Sequence, residues 1–142
     1  MGKYYLTKKQ IANEEKKRTL YSVYNAWKDH KWKSIGIMTS GDDKEKKQHC
    51  AQTLTEFFRS NGVNVEFLSE EEITVEEISV KEAEVVILDL MPANRFSVGM
   101  EWAKKCDAVI LVETCGQSKY KDFELNLKIL RENNVNIEGV IL

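Results

Sequence analysis

Proline is almost missing from this chain: Pro92 is the only one among 142 residues, and glycine numbers just seven. That scarcity excludes a Pro/Gly-rich disordered or fibrous chain. Cysteine is scarce too. Cys50, Cys106 and Cys115 are odd in number, far apart and without CxxC spacing, so no disulfide framework is expected. With His30 and His49 the only histidines, Cys and His assemble no plausible zinc ligand set, and the cysteines read as packing residues. Long apolar runs are lacking: residues 108–112 fall far below the ~20 residues of a membrane span. The Met1-Gly-Lys-Tyr-Tyr start leads into no apolar stretch, so it does not read as a secretory signal, and Leu6 stands where a myristoylation motif has Ser or Thr. Net charge is small, with 21 Lys/Arg against 23 Asp/Glu giving −2, which supplies no field for nucleic acid. The expectation is a cytoplasmic chain that neither binds nucleic acid nor inserts into a membrane.

What is present is an ordinary soluble composition, 42% hydrophobic and 31% charged, with the charge unevenly spread. Residues 1–33 carry nine Lys/Arg against three Asp/Glu, whereas residues 69–84 carry seven Glu against one Lys. Both segments read as solvated surfaces or, alternatively, as two opposite charges that meet within one chain or between copies. The length suits a single domain, taken as residues 1–142, with a helical extension over 1–33 and an α/β core over 34–142.

Periodicity sets out the elements. Helices are expected at about 10–29, 43–60, 95–105 and 119–133, each with apolar residues at helical spacing. In the third, Phe96, Met100 and Ala103 should face inward; in the fourth, Tyr120, Phe123, Leu127 and Leu130 form a stripe. Asn61-Gly62 supplies a helix stop, and Thr-Val-Glu-Glu from Thr74 resembles a capping box opening a short helix. Strands are expected at 35–38, 63–68, 85–89, 108–112 and 137–142. VVILD and AVILV are continuous aliphatic runs, the mark of burial on both sheet faces, whereas VNVEFL alternates and suits an edge. Strands alternating with helices demand parallel pairing through right-handed crossovers, hence a three-layer α/β sandwich. Ligands then belong at the carboxyl ends of the strands, near Ser40, Glu70, Asp89 and Glu113.

Four stretches carry a family likeness. They are Glu15-Lys-Lys-Arg18-Thr19-Leu20, Ser34-Ile-Gly-Ile-Met-Thr39-Ser40, Val85-Val-Ile-Leu-Asp89-Leu-Met-Pro92 and Cys106-Asp-Ala-Val-Ile-Leu-Val112. Their order and spacing resemble the cytoplasmic domain of bacterial tyrosine kinases of capsular and exopolysaccharide assembly. These are P-loop NTPases close to the ParA/MinD group. The resemblance spans roughly residues 14–142. It implies a mostly parallel five-stranded sheet in the order 2-3-1-4-5, preceded by a helix. It also implies nucleotide-site positions at Ser40, Lys47, Gln48 and Asp89, with Asp89 holding Mg²⁺ through water where that ion is bound. Glu15 and Arg18 match two thirds of a Glu-x-x-Arg-x-x-Arg motif that packs between subunits, with Tyr21 at its third basic position.

The departures are chemical. A phosphate loop needs glycines, a lysine and a Mg²⁺-binding hydroxyl. Lys47 falls at the lysine, but Lys44 and Lys46 fill the glycine positions and Gln48 replaces the hydroxyl residue. Asp42, Asp43 and Glu45 set carboxylates where phosphates should come, and Glu70 is an imperfect match to the family's second acidic cluster. Residues 43–48 therefore read as the exposed first turn of an ordinary helix, its amino end favoured by Asp42 and Asp43. Asp89 reads first as a strand-end cap of the next turn. The expected function is a catalytically degenerate regulatory or scaffolding subunit without cofactor, partnered by its own copies or by a membrane-anchored polysaccharide co-polymerase. The alternative is an active Mg·ATP-dependent tyrosine kinase using Lys47 and Asp89. A third reading, a receiver domain with Asp89 as phospho-acceptor and Thr114 beyond the next strand, lacks the paired acids after the first strand.

Overall fold

A computed structural model describes residues 7–41, 43–73, 82–114 and 120–141. The chain divides into two compact units at Lys31/Trp32. The first is helix α1 (Lys8–His30). Its start is a capping box: Thr7 Oγ1 accepts from Gln10 N at 3.1 Å and Gln10 Oε1 accepts from Thr7 N at 2.8 Å. It stops at Lys31, whose left-handed backbone (φ 52°) lets its N–H close on Trp27 O. Within it Tyr24 and Trp27 pack ring to ring at 5.9 Å, and Lys28 Nζ lies over Tyr24.

The second unit is built on five parallel strands: β1 (Ser34–Met38), β2 (Val65–Leu68), β3 (Val85–Asp89), β4 (Ala108–Val112) and β5 (Ile137–Ile141). Their order is β2-β3-β1-β4-β5, as the resemblance implies, with every pair parallel. Every residue of β1, β3 and β4 is buried, which is why those segments read as unbroken aliphatic runs. The alternating VNVEFL segment supplies β2 at one edge, shortened at its start to Val65. At the other edge β5 shifts register between Val109↔Ile137 and Ile110↔Gly139, so Glu138 is an extra, bulged residue.

Helix α2 (Lys44–Ser60) carries the chain from β1 outward to β2, whereas α3 (Ser97–Lys105) and α4 (Tyr120–Glu132) carry it the other way, to β4 and then β5. Right-handed crossovers running in opposite directions place helices on opposite faces, giving three layers with a switch point at the central strands. α3 and α4 cover one face, where Trp102, Ala103, Cys106 and Leu130 join Met38, Val86, Leu88, Val109 and Leu111 in a single cluster. α2 buries Ala51, Leu54 and Phe58. It ends as Asn61-Gly62 suggests: Gly62 takes φ 80°, and Val63 N bonds back to Phe58 O at 3.0 Å.

Two expected inward residues face outward instead. Phe96 precedes α3 as its cap residue and is 47% exposed, because the helix starts at Ser97 rather than 95; Gly99, Trp102 and Ala103 are the buried ones. Tyr120 is 72% exposed as the first residue of α4, whose buried positions are Asn126 and Leu130. A helix end projects past the sheet it packs on, so periodicity alone overextends the stripe. The short helix expected from Thr74 and the residue Cys115 lie outside the described residues. Cys106 is buried, and burial with Asp107 beside it pushes its thiol up to about 12.

Candidate functional site

β1, β3 and β4 end side by side at the switch point, where an open α/β sheet places its ligands. Past β1, Thr39 and Ser40 are buried, and Ser40 N donates to Glu113 Oε1 at 2.9 Å. Glu113, directly after β4, is itself only 4% exposed. The turn into α2 is closed by Asp43. Its Oδ1 accepts from Lys46 N at 3.1 Å, the side-chain cap of an ordinary helix start. Its Oδ2 accepts from Thr114 Oγ1 at 2.9 Å, and Lys46 Nζ donates to Glu113 O at 2.8 Å. The N–H groups of Ser40 and Lys46 are thus taken by carboxylates of the same chain.

Lys47 does not lie on an exposed first turn. Its side chain is fully buried, although Lys44, Glu45 and Gln48 around it are exposed. The reason is electrostatic. Its Nζ pairs with Glu70 Oε1, donates to Leu90 O at 2.9 Å and sits 2.9 Å from Asp89 Oδ1. A buried ammonium persists only when paired and hydrogen-bonded, and these three oxygens match its three N–H bonds. Glu70, past β2, also reaches Lys44 Nζ at 3.8 Å.

Asp89 is not the turn cap that its place at a strand end suggested. It is fully buried, and its compensation is Lys47, whose Nζ lies 2.9 Å from Oδ1. Burial raises its carboxyl above the ordinary value of 3.8, offset in part by Lys47 and more weakly by Gln48, while Glu70 pushes it further up. Beside it lies a small, shallow cleft lined by Glu70, Ile73, Asp89, Val98, Gly99 and Trp102. Gly99 shapes this cleft: a Cβ there would meet Met91 O at 2.2 Å, so only glycine lets α3 approach the carbonyl.

The fold therefore gathers Ser40, Lys47, Gln48 and Asp89 at one sheet end. Glu15 and Arg18 lie exposed on α1, in the other unit, where Glu14 and Lys17 form an ion pair at 3.5 Å. Sequence reasoning missed Glu113 as a backbone ligand and Glu70 as the partner of Lys47. The signal for Glu113 was its position immediately after a fully aliphatic strand. Glu70, 23 residues from Lys47, carried the matching signal of its place just after the second strand, but nothing in the sequence paired it with Lys47.

Mg·ATP, which the resemblance implies, does not fit these residues. The phosphate loop is replaced by helix from Lys44, the N–H groups of Ser40 and Lys46 are taken by carboxylates of the chain, the lysine is enclosed by acids, and Gln48 offers no hydroxyl. Among the described residues no group of three or more His, Cys, Asp and Glu could hold a metal ion. Nor is any described helix long and apolar enough to cross a membrane.

Fold and strand order define a P-loop-like α/β domain, and they differ from the 2-1-3-4-5 order of receiver domains. Among solved structures, the BceF tyrosine kinase domain shares the fold. Its TM-score is 0.68 over 90% of this chain and 75% of that one, at 14% identity. No protein-family model and no curated protein sequence matches the chain.

Proposed function

We propose that this chain is a tyrosine-kinase-like, P-loop-derived domain that has lost its phosphate loop and acts as a regulatory or scaffolding subunit in capsular or exopolysaccharide assembly. One observation carries the loss of catalysis: α2 is already helical at Lys44 and capped by Asp43, where a glycine loop would have to open around phosphate. Phosphoryl transfer depends on positioning and charge neutralisation, and this turn presents carboxylates instead. Its partners on this reading are further copies of the chain, through Glu15 and Arg18, or a membrane-anchored polysaccharide co-polymerase, met at the cytoplasmic face.

Each N–H bond to an ionised phosphate is worth about 1.5–3 kcal/mol. Losing three or four of them turns micromolar affinity into millimolar or weaker, since ~1.4 kcal/mol is tenfold. Calorimetry with Mg·ATP should show no binding tighter than about 1 mM, roughly −4 kcal/mol. A micromolar dissociation constant would overturn the proposal. The active-kinase reading draws on one feature, the 2.9 Å approach of Lys47 to Asp89. Incubation with Mg·ATP and a tyrosine-rich peptide decides between them: phosphotyrosine that disappears in Lys47→Ala would establish the kinase.

A further inference from the structure

We infer that Glu70 is a latch: it holds Lys47 away from any anion arriving at the amino end of α2, as an autoinhibitory contact within the chain. The inference rests on the closed-site reading above and gives that closure a residue that can be removed. Lys47 is saturated, with Glu70 Oε1, Leu90 O and Asp89 Oδ1 around its ammonium and no exposed side-chain surface. Of its two acids, Asp89 is fixed at the end of a buried central strand. Glu70 lies in the turn after edge strand β2, and its side chain is 12% exposed.

Glu70 also has somewhere else to go. Its second oxygen already lies 3.8 Å from Lys44 Nζ, on a side chain 63% exposed, one helical turn outward from Lys47. Its flank opens on the cleft beside Asp89 and Trp102. A partly exposed carboxylate between an inner and an outer lysine can exchange partners without becoming an unpaired buried charge. With Glu70 on Lys47, the Lys47–Glu70–Asp89 group carries one excess negative charge and repels phosphate. Without it the remaining pair is neutral, and Lys47 regains one free N–H.

The test uses the whole chain, with Glu70→Gln preserving side-chain size. Inorganic tripolyphosphate is titrated by calorimetry against the unchanged protein, Glu70→Gln, and Glu70→Gln with Lys47→Ala. The latch predicts at least about tenfold tighter binding in Glu70→Gln, equivalent to ~1.4 kcal/mol, and loss of that gain in the double variant. Equal, weak binding in all three overturns the latch and leaves the non-catalytic reading standing. Micromolar Mg·ATP binding by the unchanged protein overturns that reading instead, while the comparison with Glu70→Gln still decides the latch. A thermal melt establishes that each variant is folded. Lysine acylation read by mass spectrometry tests the contact without a ligand: Lys47 should be protected in the unchanged protein and labelled in Glu70→Gln. Equal protection in both would also overturn the latch.

Discussion

The two ends of the sheet each carry an aspartate beside a central strand, and the chain treats them in opposite ways. At the amino ends, Asp107 Oδ2 accepts from Lys33 N at 2.6 Å and Ser34 N at 3.3 Å, and its own N–H and carbonyl bond Ser34 and Asn136. It is a surface residue tying β1, β4 and the start of β5 together. At the carboxyl ends, Asp89 is wholly buried and is balanced by an equally buried lysine 2.9 Å away. The first arrangement is what a fold does with an acid it needs for shape. A buried ion pair is costly to maintain and is weak support for stability. It stands at the switch point, where such sheets bind ligands.

The sharpest way to break that contrast is to remove the lysine. Lys47→Met should leave the buried Asp89 without its counter-ion and destabilise the domain by about 3–5 kcal/mol in urea unfolding, the cost of orphaning a buried charge. A loss below about 1 kcal/mol would mean that the acids already protonate or reach water. Asp107→Ala should cost less, about 1–2 kcal/mol, because its exposed carboxylate serves two strand-end N–H groups that water can then serve in part. A cost equal to that of Lys47→Met would erase the distinction between the two ends.

The smallest effect lies in pH dependence. Because the folded-state pKa of Asp89 is raised, ionising it costs stability as pH climbs from its ordinary value of 3.8 through the raised one. Asp89→Asn cannot ionise. Its stability should match the parent protein near pH 3 and gain on it as pH rises toward neutrality. Chemical unfolding at several pH values measures this, and an Asn variant that loses ground with rising pH would show that the Lys47 attraction outweighs burial.

Much of the architecture was legible in the residues themselves. VVILD and AVILV could only be strands covered on both faces, VNVEFL belonged to an edge, and Asn61-Gly62 stopped a helix, because period, branching and backbone freedom are local properties. The helical start at Lys44 was legible for the same reason: lysines stand where a phosphate loop must have glycine. Other features were not local. That Phe96 and Tyr120 project outward depends on where each helix begins relative to the sheet it covers. That Lys47 is buried, that Glu70 meets it across 23 residues, and that Glu113 takes the N–H of Ser40 from 73 residues away all depend on strand order. Sequence by itself determined which groups were charged and which segments were helix or strand. Only the tertiary structure decided which charges were removed from water together, because desolvation and pairing belong to the packed sheet end and not to any one segment of it.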